Sequence, residues 1–125
     1  MKKAVKTRVG IKHIKPSKRR FKPFAGPPGY CRIARDVDLD VSTSMMCGVS
    51  EFKDIRIPWT ILYDEYFYGI SGTLTIRVGR KAYHIKPGDG LWLPEGTKLV
   101  YEAKGKARVM FAVWPVDYKK RHGLE

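Results

Sequence analysis

Residues 63–79 read YDEYFYGISGTLTIRVG, and the period of this stretch decides the fold. Leu74, Ile76 and Val78 alternate with Thr75 and Arg77. A period of two puts the apolar side chains on one face of an extended strand. Gly79-Arg80 then turns the chain, and Tyr83 and Ile85 resume the alternation, so the stretch predicts a hairpin. Working outward, residues 61–70 are rich in Tyr, Phe and Ile, which suit a pleated surface. Pro87-Gly88-Asp89-Gly90 and Pro94-Glu95-Gly96-Thr97 are turn signals on either side of a short strand, Leu91-Trp92-Leu93. Residues 45–52, 99–103 and 108–114 read as further strands. Val37, Leu39 and Val41 alternate with Asp36, Asp38 and Asp40, which predicts a half-buried strand with an acidic outer face. No segment carries helical periodicity. Many short strands divided by Gly and Pro turns predict an all-β, antiparallel sandwich or barrel.

The 125 residues suffice for one domain. The net charge of +13 is unevenly placed. Residues 1–35 hold 12 Lys or Arg and no acid, whereas residues 36–125 hold 13 Lys or Arg against 12 Asp or Glu. The chain therefore divides into a basic N-terminal arm (1–29), a nearly neutral barrel (30–118) and a C-terminal tail (119–125). Residues 2–22 of such an arm attract polyanions without regard to sequence. Two cysteines, Cys31 and Cys47, are too few for a disulfide scaffold. No apolar run is long enough for a signal peptide or a membrane span, so the sequence predicts a cytoplasmic protein. No Ser or Cys has a His and an acid nearby in sequence, and Gly26-Pro27-Pro28-Gly29 lacks the spacing and the Lys-Ser/Thr of a phosphate loop.

Two spaced signatures bear a family likeness. Glu65, six residues and Gly72 match the end of the first cupin motif. Gly88 with Pro94-Glu95-Gly96 matches the start of the second. Residues 59–115 thus resemble a cupin, a small jelly-roll barrel. More narrowly, WTILYDE (59–65), SGTLTIRVG (71–79), PGDGLWLPEGTKL (87–99) and VMFAVWPVDY (109–118) resemble the ethanolamine-utilisation cupins of the EutQ type. Proteins of that type accompany amine or alcohol breakdown in bacteria, and a role in acetate phosphorylation has been attached to them. The resemblance implies a small polar ligand and, as is common among cupins, a homodimer paired through edge strands, with the acidic strand near residues 36–41 as a suitable edge.

The departures from the metal-binding cupins shape the expected site. Where those proteins place His-X-His, this sequence has Trp59 and Ile61, and the later His falls on Leu99. A lone carboxylate does not hold a transition metal, so no metal and no cofactor are expected. His13, His84 and His122 read as surface residues. The cupin register puts Trp59, Ile61, Tyr63 and Glu65 on one inward face and Leu99 and Tyr101 on another, with Trp92 as a further wall. Glu65 and Tyr63 are the expected catalytic pair, and Trp59, Ile61, Leu99, Tyr101 and Trp92 the expected ligand contacts. A carboxyl among apolar groups is poorly solvated when charged, so its pKa rises towards neutrality, where it serves as a general acid or base. The alternatives are a non-catalytic metabolite-sensing or dimerisation module, and a polyanion binder acting through the arm.

Overall fold

The computed structural model describes residues 10–124. After a 3-10 turn at Pro16–Lys18 come the strands β1 (Lys22–Ala25), β2 (Tyr30–Val37), β3 (Met46–Thr60), β4 (Asp64–Gly72), β5 (Leu74–Val78), β6 (Lys81–Ile85), β7 (Gly90–Leu93) and β8 (Lys98–Trp114). A single helical turn, α1 (Tyr118–Arg121), closes the series. Every pairing is antiparallel. The spatial order is β1-β2-β3-β8-β4-β7, and β5 lies between β8 and β6. The all-β antiparallel barrel expected from the alternation is the observed architecture.

Two long strands form the spine. β3 and β8 pair from Met46↔Val113 to Thr60↔Lys98. β4 takes the free edge of the second half of β8, and β5 takes the same edge of its first half. One strand pair therefore serves both walls and bends between them. The bend is a bulge where the register shifts between Lys53 and Ile55. Asp54 sits there at φ 47, and its Oδ1 accepts a hydrogen bond from the Gly105 N–H at 2.6 Å. An extra residue in one strand reverses the side-chain alternation. Phe52 points inward before the bulge, and Ile55 and Ile57 join the core after it. The sequence expected residues 99–103 and 108–114 as separate strands; they are two halves of β8, which runs through the corner unbroken.

The hairpin that decided the fold forms as read, with Leu74↔Ile85 and Ile76↔Tyr83 as partners. Leu74, Ile76, Ile85, Phe67 and Val109 are almost wholly buried. Gly72, where the first motif ends, has φ +68, and a Cβ there would collide with the Lys106 carbonyl. A side chain at that position would separate β4 from β8.

Three further expectations change. The acidic strand over residues 36–41 ends at Val37, and the chain turns through Asp38–Val41, with the Val41 N–H donating to the Asp38 carbonyl at 2.9 Å. Asp38 Oδ1 also accepts from the Leu39 N–H at 2.8 Å; such local bonds compete with a ladder. The acidic edge proposed for dimer pairing is thus a turn. Second, part of the expected arm belongs to the sheet, because β1 pairs with β2. Arg19 grips Asp36 with two bonds of 2.9 and 2.8 Å, and Phe21 lies against the guanidinium groups of Arg32 and Arg108. Residues 1–9 of the arm lie outside the described residues. Third, α1 crosses the expected boundary between barrel and tail, although no helical period announces it.

Candidate functional site

Inward parity on β4 falls on Glu65 and Phe67, while Tyr66 and Tyr68 face out. β4 lies between β7 and β8, so Glu65 is flanked by Leu93 and Val113, both buried. Only 5% of Glu65 is exposed. From the other half of β8, Tyr101 donates its hydroxyl proton to Glu65 Oε1 at 3.0 Å. Tyr101 is in turn held edge-on by Phe67, with ring centroids 6.0 Å apart.

The carboxyl borders a cavity of about 60 Å³. At roughly 10–15 Å³ for each water-sized group, it holds some four to six of them. Apolar walls come from Met46, Ile57, Phe111 and Val113. Phe24, Trp59 and Arg35 line it while retaining solvent exposure, which places them at its rim. Tyr118 of α1 packs edge-on against Tyr63, with centroids 4.6 Å apart. Arg121 and His122 anchor this turn, through Asp117 at 2.8 Å and Glu95 at 3.2 Å.

The electrostatics follow from burial. Loss of hydration pushes the Glu65 carboxyl up to about 8, and the Tyr101 hydrogen bond draws it back only in part. Burial raises the Tyr101 and Tyr63 phenols, and the neighbouring Glu65 charge raises them further. Cys31, also in the wall, is pushed up to about 12 by burial and then by Glu65, with Arg35 opposing. At neutral pH the site is therefore a protonated carboxyl ringed by protonated phenols and an unreactive thiol.

Of the residues expected in the site, Glu65, Tyr63, Tyr101 and Trp59 converge on the cavity. Trp59 reaches it from the end of β3 rather than from the strand of Glu65, because residues 61–63 form a connection between the two. Ile61 and Leu99 do not line the cavity. They are packed in the core at 0% and 2% exposure, with Ile61 fixed by backbone bonds to Gly96 and Thr97. Trp92 is no wall: it is 58% exposed on the outer face, opposite Tyr66. Leu91 and Leu93 take the inward positions of β7, a parity that Leu-Trp-Leu already carried. Cys31 and Arg35 on β2, Phe24 on β1 and Tyr118 on α1 were not foreseen. Cys31, Ile33 and Arg35 share a period of two, but nothing local says that this face is the inner one. Asp64, of opposite parity, accepts from the Glu95 N–H at 2.9 Å and fixes the turn. His13, His84 and His122 are exposed.

A metal does not fit this donor set. The three positions that would supply imidazoles are Trp59, Ile61 and Leu99. Among the described residues no group of three or more His, Cys, Asp or Glu is assembled to hold an ion. Glu65 alone, beside phenols that keep their protons, is too poor a ligand set for a transition metal.

A curled antiparallel sheet with its cavity between the walls is the architecture of a cupin-type barrel. An RmlC-like cupin from Shewanella frigidimarina superposes with a TM-score of 0.66 over 85% of this chain and 92% of that one; at 10% identity the likeness is of fold alone. The chain belongs to the family of ethanolamine utilisation protein EutQ, whose model matches residues 1–120. A solved putative ethanolamine utilization protein from Salmonella typhimurium LT2 is 27% identical, with a TM-score of 0.77 over 85% of this chain and 87% of that one. Acetate kinase EutQ of Escherichia coli K12 is 28% identical over 118 residues, which are 94% of this chain and 51% of that protein. The chain spans about half the length of the curated relatives it matches. No helix among the described residues is long and apolar enough to cross a membrane.

Proposed function

We propose that the chain binds or transforms a small polar metabolite in a metal-free barrel cavity, with Glu65 as general acid or base and Tyr63 and Tyr101 orienting the ligand. The observation that carries this reading is a carboxyl 5% exposed, bonded to a single phenol and opening onto a cavity. With its pKa raised to about 8, Glu65 is about nine-tenths protonated at pH 7. It is then a hydrogen-bond donor to a ligand oxygen, and its pKa lies close to the working pH, where proton transfer is most effective. The curated relatives are called acetate kinases, and this chain covers about half of their length.

The test is a thermal-shift and calorimetric screen of the full chain against small polar metabolites. A ligand bound by the wild type and lost in Glu65→Gln, with the melting temperature at pH 7 unchanged or raised, supports the reading. A large fall in melting temperature at pH 7 instead assigns Glu65 a structural role and sinks it. The homodimer and the polyanion contact stand as secondary proposals. Exposed Tyr66, Tyr68, Ile70 and Trp92 support the first, and exposed Lys15, Lys18 and Arg20 the second.

A further inference from the structure

We infer that Arg35 selects the ligand: the cavity takes a short carboxylate bearing a second oxygen, its anion on the Arg35 guanidinium and its second oxygen on the Glu65–Tyr101 side. This rests on the cavity reading above and names its substrate class. Arg35 is the one cationic side chain lining the cavity among the described residues. Its guanidinium is also weakly engaged. The nearest carboxylate, Asp38, is 3.9 Å away and 41% exposed, and no hydrogen bond from the Arg35 side chain forms among the described residues. The guanidinium groups of Arg19, Arg32, Arg77 and Arg121 each approach a carboxylate at 2.7–2.9 Å. An open guanidinium fork at the rim matches a carboxylate with two parallel bonds.

The rest of the cavity fixes the remainder of the ligand. Met46, Ile57, Phe111 and Val113 stand in the wall, and they suit a short hydrocarbon middle that inorganic phosphate lacks. Beyond them the polar groups are Ser50, Glu65, Tyr63, Tyr101, Tyr118 and the Cys31 thiol, all uncharged at neutral pH, so the inner end of the ligand is an uncharged hydroxyl or carbonyl. Four to six water-sized groups, three of them the ligand's oxygens, correspond to an acid of roughly two or three carbons. The titratable and charged groups that share the cavity with Glu65 are Tyr101 of β8, Cys31 and, at the rim, Arg35 of β2, Tyr63 and Tyr118. The phenols and the thiol keep their protons through neutrality, so Glu65 is the group that changes. Ionised, it repels the ligand's lone pairs and its anion, and binding weakens as pH rises through about 8.

The experiment is calorimetry on the full chain with glycolate, lactate and 3-hydroxypropionate. The controls are 3-hydroxypropionamide, propionate and inorganic phosphate. At least one hydroxy acid is expected to bind about tenfold more tightly than the amide and the deoxy acid. Arg35→Gln is expected to erase the preference for acid over amide with the melting temperature unchanged, and Arg35→Lys to restore part of it. Equal binding of acid and amide, or a preference that survives Arg35→Gln, overturns the role of Arg35; if that binding still depends on Glu65, the cavity reading stands without it. Phosphate binding as tightly as the hydroxy acids overturns the carboxylate assignment. No binding by any acid or amide overturns both.

Discussion

Glu65 and Glu51 are both buried carboxyls, at 5% and 9% exposure, on opposite faces of the same sheet. Their surroundings send them in opposite directions. Glu51 lies on β3 between Arg32 of β2 and Arg108 of β8, its cross-strand neighbours, and takes hydrogen bonds from both. The two guanidinium groups outweigh its burial and hold its carboxyl below the usual range. Glu65 has one phenol for a partner, and burial dominates. Burial alone therefore says nothing about whether an acid is structural or chemical. The partner decides: a paired acid is fixed as an anion, whereas an acid bonded only to a neutral donor stays near neutrality and can exchange its proton.

Three measurements bear on this contrast. The largest effect is expected from Glu65→Gln at high pH. The folded-state pKa of Glu65 lies above its unfolded value, so folding takes up a proton between about 4.5 and about 8, and stability falls as pH rises across that window. The variant has no such loss. At pH 9 it should exceed the wild type by on the order of 2–4 kcal/mol in urea unfolding, and at pH 4 the two should agree within about 1 kcal/mol. Equal stabilities at pH 9 would mean that Glu65 is solvated or paired.

Next comes Glu51→Gln, with the opposite pH dependence. The Glu51 pKa is lowered on folding, so its contribution is present above the unfolded value and is lost as pH falls through the folded one. The substitution should cost about 1–3 kcal/mol at pH 7, since it leaves two guanidinium groups facing each other, and almost nothing at pH 2. The same cost at both pH values would count against the clamp. The smallest effect is expected from Tyr101→Phe. Losing one hydrogen bond costs about 0.5–1.5 kcal/mol at pH 7. That bond also lowers the Glu65 pKa, so a carbon NMR titration of the Glu65 carboxyl should move upward. A downward shift would show that the phenol does not donate to it.

Much of this arrangement was legible without coordinates. The alternation of Leu74, Ile76 and Val78 forms the hairpin it predicts. The spacing of Glu65 to Gly72 marks a carboxyl facing inward and a glycine that cannot carry a Cβ. What misled was parity carried across a break. Trp59, Ile61 and Tyr63 were read along one continuous strand with Glu65, but residues 61–63 are a connection, and Ile61 turns into the core. Trp92 follows the parity set by its two leucine neighbours, which puts it on the outer face and not in the wall.

The sequence by itself determined the strands, their turns and the inward direction of Glu65, because each depends on a period of two residues or on local turn chemistry. The tertiary structure decided which surface is the inside of the sheet at β2, and hence that Arg35 and Cys31 line the same cavity as Glu65 and that Phe24 of β1 stands at its rim. That arrangement brings together residues some thirty positions apart in the chain, through strand pairing across the sheet. A period of two offers two faces and cannot choose between them; packing chooses, when the sheet closes and only one face can be dry.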